Sequence, residues 1–369
     1  MDSLDTGTSI QDATRSYERW LAEQTPLVER DLVRKHQDMA QDAFAFFRAT
    51  YYRWAQIWPR LCSDLATAPL VLSVGDLHIE NFGTWRDADG RLAWGINDFD
   101  EAYRLPYTND LVRLATSVQL AVRENHLALR PKNACIALLD GYRAGLESGG
   151  RPFVLAEEHV WLLRLAARRE RSAGAFWRQL SRSPEASDAD GPSAQARAAL
   201  ESALPANTIE YRVHSRIAGE GSLGHRRWVA IADWLGGKIA REAKARAPSA
   251  SVWCATQTED VASADPVVDI VRRAMRSPDP ALQVERGWLL RRLAHDCSRV
   301  ELSSLPGPKL ESSLLEAMGR ETANVHLGTS DARTSILADL RVRSRGWLVD
   351  ASRIMLKAAL RDWKAFRRH

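Results

Sequence analysis

Two short apolar runs, each followed at once by a dense group of polar residues, constrain most strongly how this chain can fold. The first run, PLVLSV, leads into GDLHIENFG at residues 75–83, and the second, RLAWGIN, leads into INDFDEA at residues 96–102. Short β-rich runs separated by the turn-forming sequence DADG predict strands of a small sheet. Strand ends are rigid and can hold converging side chains. We therefore expect both polar groups to line a site.

The rest of the chain divides into five parts. The first 68 residues have helical apolar spacing that ends at Pro59, and three further helical stretches follow the small sheet. Residues 181–206 are rich in Ser, Pro, Asp, Ala and Gly and predict a linker. Residues 207–300 contain the strand candidates RVHSRIA, RRWVAIADW and KIAREAKA, and residues 301–369 are helical again. This order predicts an α+β chain.

Composition excludes several classes of protein. Of 369 residues, 45% are hydrophobic and 27% are charged, which is ordinary for a globular protein. The four cysteines lie far apart without paired spacing, so neither a disulfide scaffold nor a zinc ribbon is expected. The chain has no long apolar run and begins with a polar, acidic stretch. We expect a cytoplasmic protein without a membrane partner.

The net charge of +4 is concentrated at one end of the chain. Residues 341–369 carry nine Lys and Arg against two acidic residues, whereas the remainder has 42 basic and 45 acidic residues. The body of the chain therefore gives no signal for nucleic acid. Nucleic-acid binding through a basic C-terminal helix is kept as an alternative function, although an amphipathic helix packed by its apolar side is the expected reading of that segment.

The polar groups after the two apolar runs suggest a magnesium site. Adjacent strands joined by a short turn would bring Asn81 and Asp98 together. An amide oxygen and a carboxylate are hard ligands that suit Mg²⁺. A metal-dependent hydrolase built on Asp76, His78 and Asp98 is a further alternative, but the further His or carboxylate ligands of such sites are absent from these motifs.

A glycine-rich segment lies between two strand candidates farther along the chain. Residues 219–224 read GEGSLG, a GxGxxG pattern, with RVHSRIA before it and RRWVAIADW after it. A dinucleotide-binding fingerprint needs a helix after the glycines. Strands on both sides instead predict a hairpin loop, which is the arrangement that protein kinases place over nucleotide phosphates.

Together these motifs resemble the aminoglycoside-phosphotransferase and protein-kinase superfamily. GDLHIEN is similar to its catalytic loop, INDFDEA to its metal-binding segment, and NDLVRL at residues 109–114 to the start of the next helix. The series FAFFRATYY, GDLHIENFG, INDFDEA, AGEGSLG and REAKA also resembles an uncharacterised bacterial family classed among kinase-like folds, over about residues 43–328. The resemblance implies a protein-kinase-like fold with two lobes and a mainly helical large lobe.

The resemblance also implies roles for individual residues. Asp76 would be the catalytic base, Asn81 and Asp98 would hold Mg²⁺, and Asp110 would brace the catalytic loop. ATP phosphates would lie against the glycine loop, at Gly219, Gly221, Ser222 and Gly224.

Three further residues would have supporting roles. His78 would stabilise its loop, and Asp100 would join a second metal or a surface pair. Arg48, in FAFFRATYY, is a weaker candidate that would brace an acidic loop.

Two departures from the superfamily pattern accompany these assignments. The glycine loop follows the catalytic loop here, so a kinase-like fold would need a permuted order of elements, with residues 1–180 and 301–369 forming the large lobe and 207–300 the nucleotide-clamping lobe. The kinase lysine has its closest equivalent at Arg241, with Ile239 two residues before it, whereas Lys244 falls on the opposite strand face. Arg and Lys are not interchangeable at such a site.

These assignments predict a phosphotransferase that uses ATP and Mg²⁺ and transfers phosphate to a hydroxyl of a small molecule. A nucleotide-binding pseudokinase is the alternative that Arg241 suggests. Lys244 is kept beside Arg241 as a candidate for pairing with the phosphates.

Overall fold

Four helices precede the first strand in this computed structural model, which describes residues 7–167, 172–182, 191–219, 221, 223–255, 265–297 and 307–368. They are α1 (Ile10–Gln24), α2 (Glu29–Gln41), α3 (Ala43–Ala49) and α4 (Tyr51–Leu61). The predicted helical start of the chain is confirmed. Pro59 lies within the last turn of α4, and the helix continues to Leu61 rather than ending at the proline.

Two small antiparallel sheets carry the polar loops. Their strands are β1 (Leu70–Ser73), β2 (Phe82–Arg86), β3 (Leu92–Ile96), β4 (Tyr103–Pro106) and β5 (Phe153–Val154). β1 pairs with β4, whereas β2, β3 and β5 form the second sheet. The two apolar runs of the sequence therefore lie in different sheets, and the partner of β3 is β2, which directly follows Asn81. The sequence pattern missed β2 because four of its five residues are buried and show no alternation.

Six helices follow β4 along the chain, and one of them lies in the predicted linker. They are α5 (Tyr107–Arg123), α6 (Pro131–Ser148), α7 (Leu155–Glu158), α8 (Val160–Ala167), α9 (Ala173–Leu180) and α10 (Ala194–Ala203). Within residues 181–206, the Ser193 side chain caps α10 by accepting from the Ala196 N–H. Alanine is the strongest helix former, which explains why this stretch forms a helix despite its linker-like composition. Residues 183–190 lie outside the described part.

A five-stranded antiparallel sheet follows α10. Its strands are β6 (Tyr211–Ser215), β7 (Arg227–Trp234), β8 (Gly237–Ala245), β9 (Gln283–Glu285) and β10 (Trp288–Leu293), in the order β6-β7-β8-β10-β9. The three strand candidates are confirmed, and QVERGWLLRRLA forms a hairpin. Arg286 and Gly287 at its turn both have positive φ, 51° and 83°, as a type I′ turn requires.

The two faces of this sheet have different chemistry. On one face Trp228, Ala243 and Leu290 pack against α10 through Ala199 and Leu200. On the other face the cross-strand pairs are Arg227 with Lys244 and Glu242 with Arg291. Because α10 covers the apolar face, the charged face is the one turned toward the polar loops.

Five more helices complete the described part. They are α11 (Ala250–Cys254), α12 (Pro266–Arg273), α13 (Pro308–His326), α14 (Ala332–Val342) and α15 (Trp347–Phe366). α13 packs along α6, and α15 packs on α5. Helices from both ends of the chain share one hydrophobic core with β1 and β3. The chain is thus a mixed α+β protein, as predicted. Across the described ranges, every helix is too short or too polar to cross a bilayer.

The basic C-terminal helix is built into this core. α15 buries Leu348, Met355 and Ala358 on its inner side. Arg53 of α4 donates a 2.8 Å hydrogen bond to Asp362, and both side chains are buried. The inner face of α15 is therefore occupied by the protein itself.

Candidate functional site

One cleft brings together most of the residues that the sequence singled out. We call it the main cleft. It is lined by the loops after β1 and β3, by α3 and by the glycine loop; its predicted members are Arg48, Asp76, His78, Asn81, Asp98, Asp100, Gly219 and Gly221. Ser222 lies outside the described residues. Asp110, Gly224, Arg241 and Lys244 do not line this cleft directly, and their positions are given below.

Pairing of β2 with β3 brings the two polar loops together. Phe82 at the start of β2 pairs with Ile96 at the end of β3. Asn81, which precedes β2, therefore lies beside Asn97, which follows β3. The Asn97 N–H donates a 2.9 Å hydrogen bond to the carbonyl of Asn81. The side-chain oxygen of Asn81 accepts from the His78 N–H at 2.6 Å, so the amide is fixed within its own loop.

Asp110 braces the backbone that leads into Asp76. Its carboxylate is fully buried and accepts from the N–H groups of Val74 at 2.7 Å and Gly75 at 3.0 Å. His326 of α13 donates to the same carboxylate at 3.1 Å. Burial alone would raise the pKa of Asp110, but hydrogen bonds from His326, Ser73 and Val74 outweigh it and hold the pKa below its usual range. Asp110 is therefore an ionised support for the loop.

Asp76 is oriented by an arginine that the sequence analysis did not identify. The Nε of Arg113 donates a 2.6 Å hydrogen bond to Oδ1 of Asp76. The Arg113 side chain is almost fully buried, and its guanidinium lies over the ring of Phe47 at 4.2 Å. Burial raises the pKa of Asp76, and the charge of Arg113 opposes that rise. With Oδ1 held, Oδ2 is the atom that faces the glycine loop.

Lys244, rather than Arg241, reaches the polar loops. The Lys244 ammonium is buried and pairs with Asp100. Burial lowers the pKa of Lys244 to about 8, against the attraction of Asp98 and Asp76. Arg241 points to the opposite face, where its Nε donates a 2.8 Å hydrogen bond to the carbonyl of Ala203 at the end of α10. The structure thus places the two candidate cations on opposite faces of the sheet, with Arg241 on the face away from the cleft.

The glycine loop lies over Asp76. A Cβ added at Gly221 would be 3.1 Å from the Arg48 carbonyl oxygen and 3.7 Å from Oδ2 of Asp76. Gly219 has a φ of 78°, in the left-handed region that favours glycine. Gly224 has a φ of 101°, and a Cβ there would be 2.7 Å from Leu32 of α2. Gly224 therefore anchors the loop against α2, whereas Gly219 and Gly221 line the cleft.

Arg48 and His78 support the loop that carries Asn81. Arg48 forms a 2.5 Å ion pair with Glu80, which matches the bracing role expected of it. The Nδ1 of His78 accepts from the Glu80 N–H at 3.2 Å. Both contacts are made to Glu80 and therefore stabilise the loop at residues 78–81.

Two further cleft residues lie outside the sequence motifs. Lys35 of α2 is buried, its Nζ lies 3.5 Å from the Gly221 carbonyl oxygen, and burial lowers its pKa. Glu101 accepts from the Ala250 N–H at 2.6 Å and from Ser249 at 2.9 Å. Burial raises the pKa of Glu101 to about 7. The spacing of polar residues around Lys35 resembles an ordinary helix surface, so no local pattern distinguished it.

Asn81 and Asp98 fit a magnesium ion better than a softer metal. Magnesium takes few protein ligands and completes its shell with water and phosphate oxygens. Within the described ranges, no group of three or more His, Cys, Asp or Glu residues is placed to hold a metal ion.

Part of the chain matches a known family. Residues 27–189 match a family described as uncharacterized protein conserved in bacteria (DUF2252). The DUF2252 region contains Asp76, Asn81, Asp98 and Asp110, whereas the glycine loop and Lys244 follow it. No curated protein and no solved structure matched the chain.

Proposed function

We propose that this protein is a phosphotransferase that uses ATP and Mg²⁺ and transfers the γ-phosphate to a hydroxyl of a small molecule. The observation that carries the proposal is that Asp76, Asn81, Asp98 and the glycine loop line one cleft. Phosphoryl transfer requires in-line positioning and neutralisation of charge rather than covalent chemistry by the protein. On this proposal the chain has a kinase-like fold of two lobes with a permuted order of elements.

Asp76 and Arg113 have defined roles in the proposed reaction. The acceptor hydroxyl would donate a hydrogen bond to Oδ2 of Asp76 while Arg113 holds Oδ1. As the acceptor oxygen bonds to the γ-phosphorus, the bond from that phosphorus to the β–γ bridging oxygen breaks. The hydroxyl proton passes to Asp76, and ADP leaves.

The remaining residues would bind the nucleotide phosphates. Mg²⁺, when bound by Asn81 and Asp98, would neutralise phosphate oxygens. Gly219 and Gly221 allow backbone to approach the phosphates closely. Lys244, which pairs with Asp100 beside the proposed metal ligands, would contribute positive charge there.

Two alternative functions fit the geometry less well than phosphotransfer. A pseudokinase was suggested by arginine in place of the expected lysine, but Lys244 occupies the face turned toward Asp98 and Asp100. Nucleic-acid binding would have to use the outer side of α15 alone, because its inner side is packed into the core. We therefore retain phosphotransfer as the proposal.

Substitution of Asp76 tests the proposal directly. We expect Asp76→Asn to lower ATP turnover by about 100-fold or more, because general-base catalysis contributes at least that factor. Affinity for ATP with Mg²⁺ should change little, because Asp76 would contact the acceptor. Turnover would be measured with water and with a panel of hydroxyl compounds, and affinity by calorimetry. Asp89→Asn, in the exposed turn between β2 and β3, is the control.

Equal turnover in the Asp76→Asn and unsubstituted proteins would contradict the assigned role of Asp76.

Replacing Lys244 by Met should weaken ATP binding, whereas Arg241→Met should leave it unchanged because Arg241 lies on the α10 face of the sheet. The reverse result would contradict the placement of the nucleotide beside Asp98.

A further inference from the structure

A second cavity adjoins the main cleft on the other side of Asp98. Asn97, Asp98 and Gly219 line both cavities, so the two spaces meet beneath the start of the glycine loop. The second cavity is enclosed by the charged face of the five-stranded sheet, the β2–β3 hairpin and residues 276–282. We call it the arginine chamber because six arginines line it: Arg86, Arg216, Arg227, Arg276, Arg291 and Arg292.

Four of these arginines lie beside two carboxylates, those of Glu242 and Asp296. Glu242 is buried and pairs with Arg216 and Arg227. Burial would raise the pKa of Glu242, but the surrounding arginines lower it to about 2. Asp296 lies 3.0 Å from Arg86 and 3.8 Å from Arg292. Glu242 and Asp296 are therefore each shared by two arginines.

Arg291 is held in the chamber with unused hydrogen-bond donors. Its Nε and Nη2 atoms are inaccessible to solvent and donate no hydrogen bond to any described residue. The carboxylate of Asp98 lies 3.6 Å from Nη2, which is beyond hydrogen-bonding distance. Buried donors without acceptors are costly, so their retention calls for a ligand that satisfies them.

Arg276 shows the same feature on the opposite wall. Its guanidinium lies over the ring of Trp85 at 4.3 Å and near that of Phe99 at 5.1 Å. The Nη1 atom is buried and has no hydrogen-bond partner within the described ranges. Stacking on the rings fixes the plane of this guanidinium, which leaves its edge free to bind an acceptor.

We propose that the arginine chamber binds a phosphate group through Arg276 and Arg291. Guanidinium groups match phosphate oxygens with paired N–H donors, and they bind best where water is excluded. The six arginines outnumber the four acidic residues beside them, which are Asp98, Glu242 and Asp279 in the lining and Asp296, which contacts Arg86 and Arg292. The phosphate could belong to the nucleotide or to a separate phosphorylated molecule. This site does not depend on catalysis by Asp76.

Calorimetry with pyrophosphate, in the absence of magnesium, tests the chamber on the full chain. We expect the unsubstituted protein to bind pyrophosphate and Arg291→Gln to bind it about tenfold more weakly, the loss expected when a charge-assisted hydrogen bond is removed. Arg286→Gln is the matched control, because Arg286 lies at the exposed turn of the same β9–β10 hairpin. Absence of binding, or equal binding by Arg291→Gln, would overturn the proposal.

Thermal unfolding without ligand gives a second readout. If Arg291 serves a ligand, Arg291→Gln removes a buried charge without a hydrogen bond, and the unfolding temperature should stay the same or rise. A lower unfolding temperature would identify Arg291 as a structural ion-pair partner and would also overturn the proposal.

Competition between ATP and pyrophosphate identifies the source of the phosphate. If ATP displaces pyrophosphate, the chamber holds part of the nucleotide; if both bind together, it serves a second phosphorylated molecule. Pyrophosphate binding is measured without an acceptor and without turnover, so it does not depend on the proposed base Asp76. Failure of phosphotransfer and failure of the chamber are therefore distinguishable.

Discussion

Buried Arg113 forms an ion pair with the partly buried Asp76 beneath the glycine loop, with Nε of Arg113 2.6 Å from Oδ1 of Asp76. The arginine comes from α5 and is enclosed by the aromatic rings of Phe47, Tyr51 and Trp54. A buried arginine costs much desolvation unless it is paired. The pair therefore fixes the orientation of Asp76 and links the loop to the helical core.

A double-mutant cycle on unfolding measures this pair. We expect Arg113→Gln to lower the free energy of unfolding by about 3 kcal/mol, because it leaves a buried carboxylate without its partner. The double variant Asp76→Asn with Arg113→Gln should lose less than the sum of the two single changes, with a coupling of about 1 kcal/mol or more. Chemical denaturation of the four proteins gives these values.

The exposed pair of Lys238 and Asp233 provides the control cycle. Both side chains are largely accessible, so their coupling should be close to zero. Additive effects of the Arg113 and Asp76 substitutions would show that the pair does not hold the loop.

The strands and polar loops could be predicted from the sequence because their signals are local. β-rich runs, turn residues and the hairpin glycines each lie within a few positions of one another. Those signals indicated which residues follow each strand. They did not indicate which strands pair with each other. β2 was missed, and β1 pairs with β4 rather than with β3.

Long-range contacts explain the residues that the sequence analysis missed or placed wrongly. Arg113 is the one charged residue in LVRLATSVQLAV, a stretch of α5, and a single charge among such residues is a signal for a buried pair. For Arg241 and Lys244, strand alternation correctly placed the two on opposite faces. Which face meets the cleft depends on α10, a helix within the predicted linker.

The raised pKa of Glu101 predicts a pH dependence of stability. Its pKa is about 7 in the folded protein because of burial, whereas an unfolded glutamate titrates near 4.3. Between these values the folded state holds a proton that the unfolded state has released. The stabilisation is therefore complete below about pH 4 and is lost as pH rises to about 7.

Glu101→Gln should remove this dependence, because glutamine resembles the protonated acid and can accept from the Ala250 N–H. We expect the variant to gain about 2 kcal/mol relative to the unsubstituted protein between pH 4.5 and pH 7, with no further gain above it. Denaturant unfolding across this range measures the difference. Glu29→Gln, on the surface of α2, controls for loss of a charge; a pH-independent difference for Glu101→Gln would refute the prediction.

Close contact between α6 and α13 depends on glycine and gives a prediction for stability. A Cβ at Gly141 of α6 would lie 2.0 Å from the backbone oxygen of Glu316 in α13. A Cβ at Gly319 of α13 would lie 2.1 Å from the backbone oxygen of Leu138 in α6. Because backbone lies on both sides of the contact, neither helix can yield by changing a rotamer.

We expect Gly141→Ala to lower the free energy of unfolding by about 2 kcal/mol, although alanine favours a helix over glycine by about 1 kcal/mol. Gly174→Ala in the exposed helix α9 is the control, since a Cβ there meets only the flexible end of Arg178, at 3.3 Å. That variant should be as stable as the unsubstituted protein or slightly more so. Chemical denaturation compares the two, and equal or greater stability of Gly141→Ala would show that α6 and α13 are not in contact at this position. Since α13 carries His326, which donates to Asp110, such a result would also remove the structural basis for the support of the loop before Asp76.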